Sequence, residues 1–353
     1  MSSTYNPEML VAISSMVALV LCYLLIPTLA KIASSFGLVD TPNDRKQHEA
    51  PTPLIGGIAV YLTLLLVTLL TPSTDGLIAL VLLSGVLMVL GAFDDHYSLP
   101  TIVRFFIQIL AAAGMVYWGD QLIEELGYLL PNREIYLSFF PAVLFTIICT
   151  IGVINSINMI DGLDGLSATI LSISFSALAY YAFLANDTAG LIAISSIVGA
   201  LLGFLYYNTR FFRTRALVFM GDAGSTCLGF VLVWFFIKYT QGNQNNVLSA
   251  VSAGWIFGLP LMDTVTVMVR RIINGKSPFS AGRDHLHHQL IDAGFSVNGT
   301  VLVMGGIHSI FVFIGILANQ NPTFEPILFW GFVILVLTHF FFTSRILALR
   351  LQR

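Results

Sequence analysis

Long apolar runs, each closed by a short polar segment, repeat along this chain from one end to the other. Runs of roughly 17 to 25 apolar residues can cross about 30 Å of hydrocarbon as helices, and about eleven such runs can be drawn here. They are expected over 9–30, 55–71, 77–93, 101–118, 138–156, 166–185, 190–208, 219–237, 249–269, 301–317 and 325–343. The pattern predicts an all-α integral membrane protein, a polytopic bundle in which residues 1–353 make one domain. The first run follows eight residues without a basic n-region, and no small-residue cleavage site lies behind it. It reads as a retained helix, not a signal peptide.

Composition agrees: 56% of residues are hydrophobic and 10% charged, against about 25% charged in soluble domains. The net charge of -3 says little about partners, because it averages a basic face against an acidic one; no nucleic-acid partner is expected. An odd number of spans puts the termini on opposite sides. With the N-terminus outside, 14 of the 16 Lys and Arg residues fall in cytoplasmic segments, leaving Arg133 and Lys238 outside. Because Lys and Arg accumulate on the cytoplasmic face, the orientation is N-out, C-in. Cys22, Cys149 and Cys227 lie in or beside apolar spans without Cys-x-x-Cys spacing and read as small core residues.

Under this topology Asp40, Asp44, Glu49, Asp94, Asp95, Asp161, Asp164, Asp222, Asp263, Asp284 and Asp292 lie on or near the cytoplasmic face. Asp44, Glu49 and Asp292 need no function, since loops are polar. Asp94, Asp95, Asp161 and Asp164 are flanked by apolar helix residues at the membrane boundary, where an unpaired carboxylate is expensive. Asp94 and Asp95 close the third span at the negative end of its dipole, so a divalent ion, Arg104 or a shared proton should compensate. Asn155, Asn158, Asp161 and Asp164 recur every three residues, which would keep them roughly on one face as span five ends. Gly162 and Gly165 let the chain turn there, and span six then begins with free N–H groups for an anion. Gly221-Asp222-Ala-Gly224-Ser225 opens span eight in the same way, offering a hard oxygen ligand for Mg²⁺ beside backbone donors for phosphate.

His285, His287 and His288 follow Ser277-Pro-Phe-Ser280 and Arg283 in the longest cytoplasmic loop. Zinc is one reading, though adjacent ligands are awkward for one ion and no fourth ligand is apparent. A surface cluster is another, and hydrogen bonding to an anionic substrate, with Arg283 as a fork for phosphate or carboxylate, is favoured. Asp263 precedes Arg270 by two helical turns, so a structural pairing there is as expected as a direct role. His308 and His339 are lone histidines in apolar spans and read as core or lipid-facing.

These segments, in this order, resemble the polyprenyl-phosphate N-acetylhexosamine-1-phosphate transferases. The resemblance runs from Gly37-Leu-Val-Asp40-Thr-Pro-Asn43 to His288 and rests on Gly56-Gly57, Asp94-Asp95, Asn158-Met-Ile-Asp161-Gly-Leu-Asp164-Gly165, Val218-Phe-Met-Gly-Asp222-Ala-Gly-Ser225 and the His-x-His-His loop. Ser277-Pro-Phe-Ser280 with Arg283-Asp-His285-Leu-His287-His288 is similar to the undecaprenyl-phosphate GlcNAc-1-phosphate branch. The muramyl-pentapeptide branch usually has Pro-Thr-Met-Gly-Gly where this chain has Pro53-Leu-Ile-Gly56-Gly57, and a lysine where it has His96.

The resemblance implies ten or eleven helices, usually dimeric, in a bacterial inner membrane, with the active site in a cytoplasmic cleft. It implies transfer of GlcNAc-1-phosphate from UDP-GlcNAc to undecaprenyl phosphate, releasing UMP and starting a cell-envelope glycan. Mg²⁺, with Mn²⁺ as a substitute, would be held by Asp222 and helped by Asn208. A uracil pocket would surround Asp164 and Phe219, with Asp40, Asn155, Asn158 and Arg283 also binding substrate. Asp94, Asp95, Asp161 and the three loop histidines would be catalytic, Asp94 as general base or as a positioning residue. A covalent aspartyl intermediate, another UDP-N-acetylhexosamine such as UDP-MurNAc-pentapeptide, and an ion-coupled transporter are the competing readings.

Overall fold

Apolar side chains dominate every long segment, and each of the eleven predicted spans coincides with helix in the computed structural model. The structure describes residues 7–41, 51–71, 75–211, 213–241, 247–280 and 282–351. Asn43, Asp44, Arg45, Lys46, Glu49 and Arg353 lie outside the described residues. Among the described residues eight helices are long and apolar enough to cross a membrane, so this is a multi-pass membrane protein.

The chain forms two compact units. The first, residues 1–124 and 137–247, holds α1 (Pro7–Phe36), a two-residue ribbon of β1 (Val39–Asp40) antiparallel to β2 (Thr52–Pro53), α2 (Gly56–Leu70), α3 (Ile78–Tyr97), α4 (Thr101–Tyr117), α5 (Phe139–Ile160), α6 (Leu166–Leu184), α7 (Thr188–Asn208) and α8 (Gly221–Thr240). Of the apolar stretch of α8, 94% is buried, and α2, α3, α5 and α6 all pack on it. Between helices in lipid, close packing replaces a hydrophobic drive, and small residues permit it. A Cβ on Gly57 would lie 1.9 Å from the Gly224 Cα, so α2 and α8 approach only because both positions are glycine.

The second unit, residues 125–136 and 248–353, holds α9 (Ala250–Ile256), α10 (Gly258–Ile273), α11 (Leu286–Asp292), α12 (Val297–Ala318) and α13 (Glu325–Leu351). Glu325, at the start of α13, accepts the Tyr128 N–H at 2.8 Å and so holds the 125–136 segment to this unit. The expected ninth span, 249–269, is two helices broken at Phe257 (φ -102, ψ 11). Pro260 explains the break, since its ring removes one N–H and crowds the turn before it. Below the break, α10 buries Asp263, Arg270 and Arg271, which an uninterrupted lipid-facing span would not tolerate.

Candidate active site

In the first unit the carboxylates converge where α3 and α5 end and α8 begins. Asp94 is buried at the last turn of α3. Its Oδ1 accepts the Leu99 N–H at 2.8 Å and its Oδ2 accepts Arg104 at 2.9 Å. Of the compensating partners open from the sequence, Arg104 contacts Asp94 directly. The same guanidinium lies 3.9 Å from Asp222 Oδ2 and so bridges the two carboxylates. Asp95 turns the other way and accepts the N–H groups of Asp222 and Ala223 at 2.9 and 3.2 Å. A negative charge on the first-turn donors of α8 is favoured by the helix dipole. Gly221 makes the approach feasible: its φ is +73°, and a Cβ there would meet Asp95 Oδ2 at 2.5 Å.

Span five runs a turn further than expected, and its four polar residues do not share one face. Asn155 reaches Gln108 of α4 at 2.9 Å, whereas Asn158 donates to Asp222 Oδ1 at 2.6 Å and Ser225 Oγ at 3.0 Å. Asp161 caps the helix and accepts the Ser167 hydroxyl. Burial, with Asp222, Asp95 and Asp164 nearby, pushes its carboxyl up to about 8. Asp164 lies in the following loop and pairs with Arg210 at 2.6 Å. Asn208 takes the Gly165 N–H on its Oδ1 at 2.8 Å and donates to the Val218 carbonyl at 2.9 Å. Both halves of this buried amide hold loops together, which gives Asn208 an architectural task besides any part it takes toward a metal.

Phe219 is held by its backbone. Its N–H donates to the Pro53 carbonyl at 2.9 Å, its carbonyl accepts the Gly56 N–H at 2.8 Å, and Leu54 pairs beside it in parallel. Asp40 sits opposite Thr52 in the ribbon that leads into this strand-like stretch.

The ligand-capable side chains of this cluster are carboxylates, and carboxylate oxygen suits Mg²⁺. Among the described residues no three His, Cys, Asp or Glu side chains form a metal cage. Mg²⁺ commonly takes one or two carboxylates together with substrate phosphates, so the half-exposed Asp222 beside Asn158 fits such an ion. The zinc reading of the histidines finds no ligand set.

In the second unit His285 caps α11 and its Nδ1 lies 2.8 Å from Asp263 Oδ2, while the Leu286 N–H donates to Asp263 Oδ1 at 2.9 Å. The expected Asp263–Arg270 pairing is replaced: Arg270 binds Ser344, Thr343 and the Asp284 carbonyl. His339 is not lipid-facing, because its Nε2 lies 3.9 Å from Asp263 Oδ1. His308 is fully buried in α12, as expected of a core histidine. The His287 ring stacks on His285 with centroids 5.8 Å apart and lies 4.2 Å from His288. Neither His287 ring nitrogen has a hydrogen-bond partner among the described residues, and burial holds its pKa down to about 3. Burial, then Arg283, also lowers that of His288. Arg283 is exposed, 3.7 Å from Asp292, and Arg271 clamps the loop through Asp284 at 2.6 Å.

The model of glycosyl transferase family 4 matches residues 77–240, the stretch that carries the carboxylate cluster. The chain is 34% identical over 315 residues to undecaprenyl-phosphate alpha-N-acetylglucosaminyl 1-phosphate transferase of Escherichia coli (strain K12), covering 88% of this chain and 84% of that one. Against the protein of the same name from Salmonella typhi identity is 34% over 336 residues, covering 95% and 90%. Against that from Haemophilus influenzae it is 33% over 315 residues, covering 89% and 88%. The chain belongs to the polyprenyl-phosphate N-acetylhexosamine-1-phosphate transferase family. Membership sets aside the transporter reading of the membrane carboxylates.

Sequence reasoning about this transferase missed several contacts. Arg210 on Asp164, Ser167 on Asp161, Ser225 on Asn158 and His339 near Asp263 were not foreseen. Arg210 alone left a signal, as the first basic residue after an apolar span and thus near the boundary where Asp164 was placed.

Proposed function

We propose that this protein transfers GlcNAc-1-phosphate from UDP-GlcNAc to undecaprenyl phosphate, giving undecaprenyl-pyrophosphoryl-GlcNAc and UMP. The cluster of Asp94, Asp95, Asp161 and Asp222 at the start of α8, with Arg104 between Asp94 and Asp222, carries the reading. The names of the relatives support the sugar and the lipid. We further propose eleven spans, N-out and C-in, in a bacterial inner membrane, with residues 1–353 as one domain, the active site facing the cytoplasm, and a homodimer as the working form.

One pyrophosphate is exchanged for another, so little driving force is available and positioning carries the catalysis. Mg²⁺ held by Asp222 would supply charge neutralisation on the diphosphate. Arg104 adds a fixed cation beside the same oxygens. The positive end of the helix dipole at the start of α6 favours a phosphate there. The lipid phosphate oxygen attacks the sugar-bearing phosphorus in line, and the bond to the UMP phosphate breaks. A phosphate monoester has a second pKa near 6, so the nucleophile is largely ionised without a base. Asp94, tied to Arg104 and the Leu99 N–H, serves as a positioning residue in this scheme. Asp161 keeps its proton near neutral pH and so limits repulsion among the carboxylates. Asp164, Phe219 and Asp40 bound the nucleoside end, and His285, His287, His288 and Arg283 hydrogen-bond the anionic substrate.

The test is UMP release by purified protein with Mg²⁺, undecaprenyl phosphate and a panel of UDP-sugars, with lipid products resolved by thin-layer chromatography. Product from UDP-GlcNAc is expected. Product only from UDP-MurNAc-pentapeptide or another UDP-N-acetylhexosamine would overturn the choice of sugar.

A further inference from the structure

Asp263 is 2% exposed, and no segment of the family resemblance contains it. It lies in the first turns of α10, beyond the break at Phe257, and receives the loop residues His285 and Leu286. Each oxygen takes one donor: Oδ2 the His285 ring at Nδ1, Oδ1 the Leu286 N–H. An ionised carboxylate only accepts, so Nδ1 must carry the ring proton and Nε2 is left for another partner. The Leu286 contact also fixes the first turn of α11, where the Gln289 N–H returns to the His285 carbonyl at 3.1 Å. Orientation then passes along the loop, since His287 stacks nearly parallel to His285, at 11°. His339 of α13 closes the carboxylate from behind.

We propose that Asp263 is a positioning residue for the transferase reaction, acting through His285 by fixing its Nδ1–H tautomer and the start of α11. This rests on the reading above, in which the loop histidines hydrogen-bond the anionic substrate. An alternative task, a mere buried counter-charge, makes different demands. A counter-charge is insensitive to which ring nitrogen is protonated, whereas positioning is not.

Asp263→Asn keeps the shape but gives one acceptor and one donor where two N–H donors point. Either the ring turns to its Nε2–H form or the Leu286 N–H loses its partner. Outer-shell partners of a histidine typically contribute 10- to 100-fold. The experiment uses the full chain in detergent, with kcat and KM for UDP-GlcNAc, thermal unfolding, and ¹⁵N signals of labelled histidines, assigned through His285→Asn. Asp263→Asn should lower kcat roughly 10- to 100-fold, with KM changed less, move the His285 signals away from the Nδ1–H form, and leave the protein folded. Asp263→Glu should restore part of kcat and the tautomer. In a His285→Asn background, Asp263→Asn should add little further loss, because the two act as one unit. Wild-type kcat in Asp263→Asn, an unchanged tautomer, or full additivity with His285→Asn would overturn the proposal. If the wild type transfers no sugar phosphate, the proposed function fails instead, and the ¹⁵N signals still decide whether Asp263 sets the tautomer.

Discussion

Asp222 has one oxygen on Asn158 and the other facing Arg104, so a neutral amide there removes the charge that both neighbours are arranged around. Asp222→Asn should lower UMP release roughly 100-fold or more at saturating Mg²⁺, with little change in the unfolding midpoint. Asp94→Asn separates base from positioning: a base alters the acidic limb of the rate–pH profile, and a positioning residue lowers the rate evenly. An even loss is expected from its ties to Arg104 and Leu99. Two buried groups give opposite pH responses. His287, held down to about 3, stays neutral in the folded chain while an unfolded one takes up a proton near 6.5. Its contribution is therefore complete above about 6.5 and lost as pH falls toward 3. Asp161, pushed from 3.8 to about 8, keeps a proton that the unfolded chain releases, so stability falls as pH rises through that window. The two responses oppose each other between pH 5 and 6.5, so in unfolding midpoints from pH 5 to 9 without Mg²⁺ His287→Asn should leave a fall with rising pH up to about 8, and Asp161→Asn a rise that levels off above about 6.5.

At the scale of elements, the site is a set of helix ends, and two side chains hold those ends in register. Asp95 caps α8 from the end of α3, across 127 residues of sequence. Asp95→Asn leaves one of two N–H groups unmet and should cost about 0.5–2 kcal/mol. Activity should fall by more than that destabilisation explains, because Asp222 sits on the same turn. Asn208→Ala strands the Gly165 N–H and the Val218 carbonyl, costing about 1–3 kcal/mol for each buried group. The Mg²⁺ concentration for half-maximal activity should stay unchanged; a large rise would restore Asn208 as a ligand. Helix ends with carboxylates were legible in the sequence, because charges are few and each interrupts an apolar run. What each carboxylate touches was not. Asp95 pairs with backbone N–H groups, which leave no residue-type signal, and Asp164 finds Arg210 only through the packing of α6 on α7. The break at Phe257 hid inside a run of apolar residues, with Pro260 as its one mark.

At the scale of the whole molecule, helix direction in the first unit links the site to one side of the membrane. The ends of α3, α5 and α7 and the starts of α2, α6 and α8 are joined by Asp95, Asn158, Asn208 and the Phe219 backbone. The opposite end holds the start of α7 and the end of α8, clasped where Asp187 meets Lys238 at 2.5 Å and Tyr239 at 2.9 Å. Alternation of this kind was readable from the run lengths, although α2 and α4, of 15 and 17 residues, fall short of the span length of the other apolar helices. Arg104, Arg210, Arg213 and Arg215 all belong to the end that carries the carboxylates or to the loop beside it, the basic end that the proposed orientation places in the cytoplasm. In a chain with Cys22, Cys149 and Cys227 replaced by serine, Thr214→Cys should react with an impermeant maleimide in inside-out vesicles and not in intact cells. Asn132→Cys, beside Arg133, should react in intact cells and not in those vesicles. Reversed labelling would put the carboxylates on the outer face, out of reach of a cytoplasmic nucleotide sugar, and would defeat both the orientation and the proposed donor.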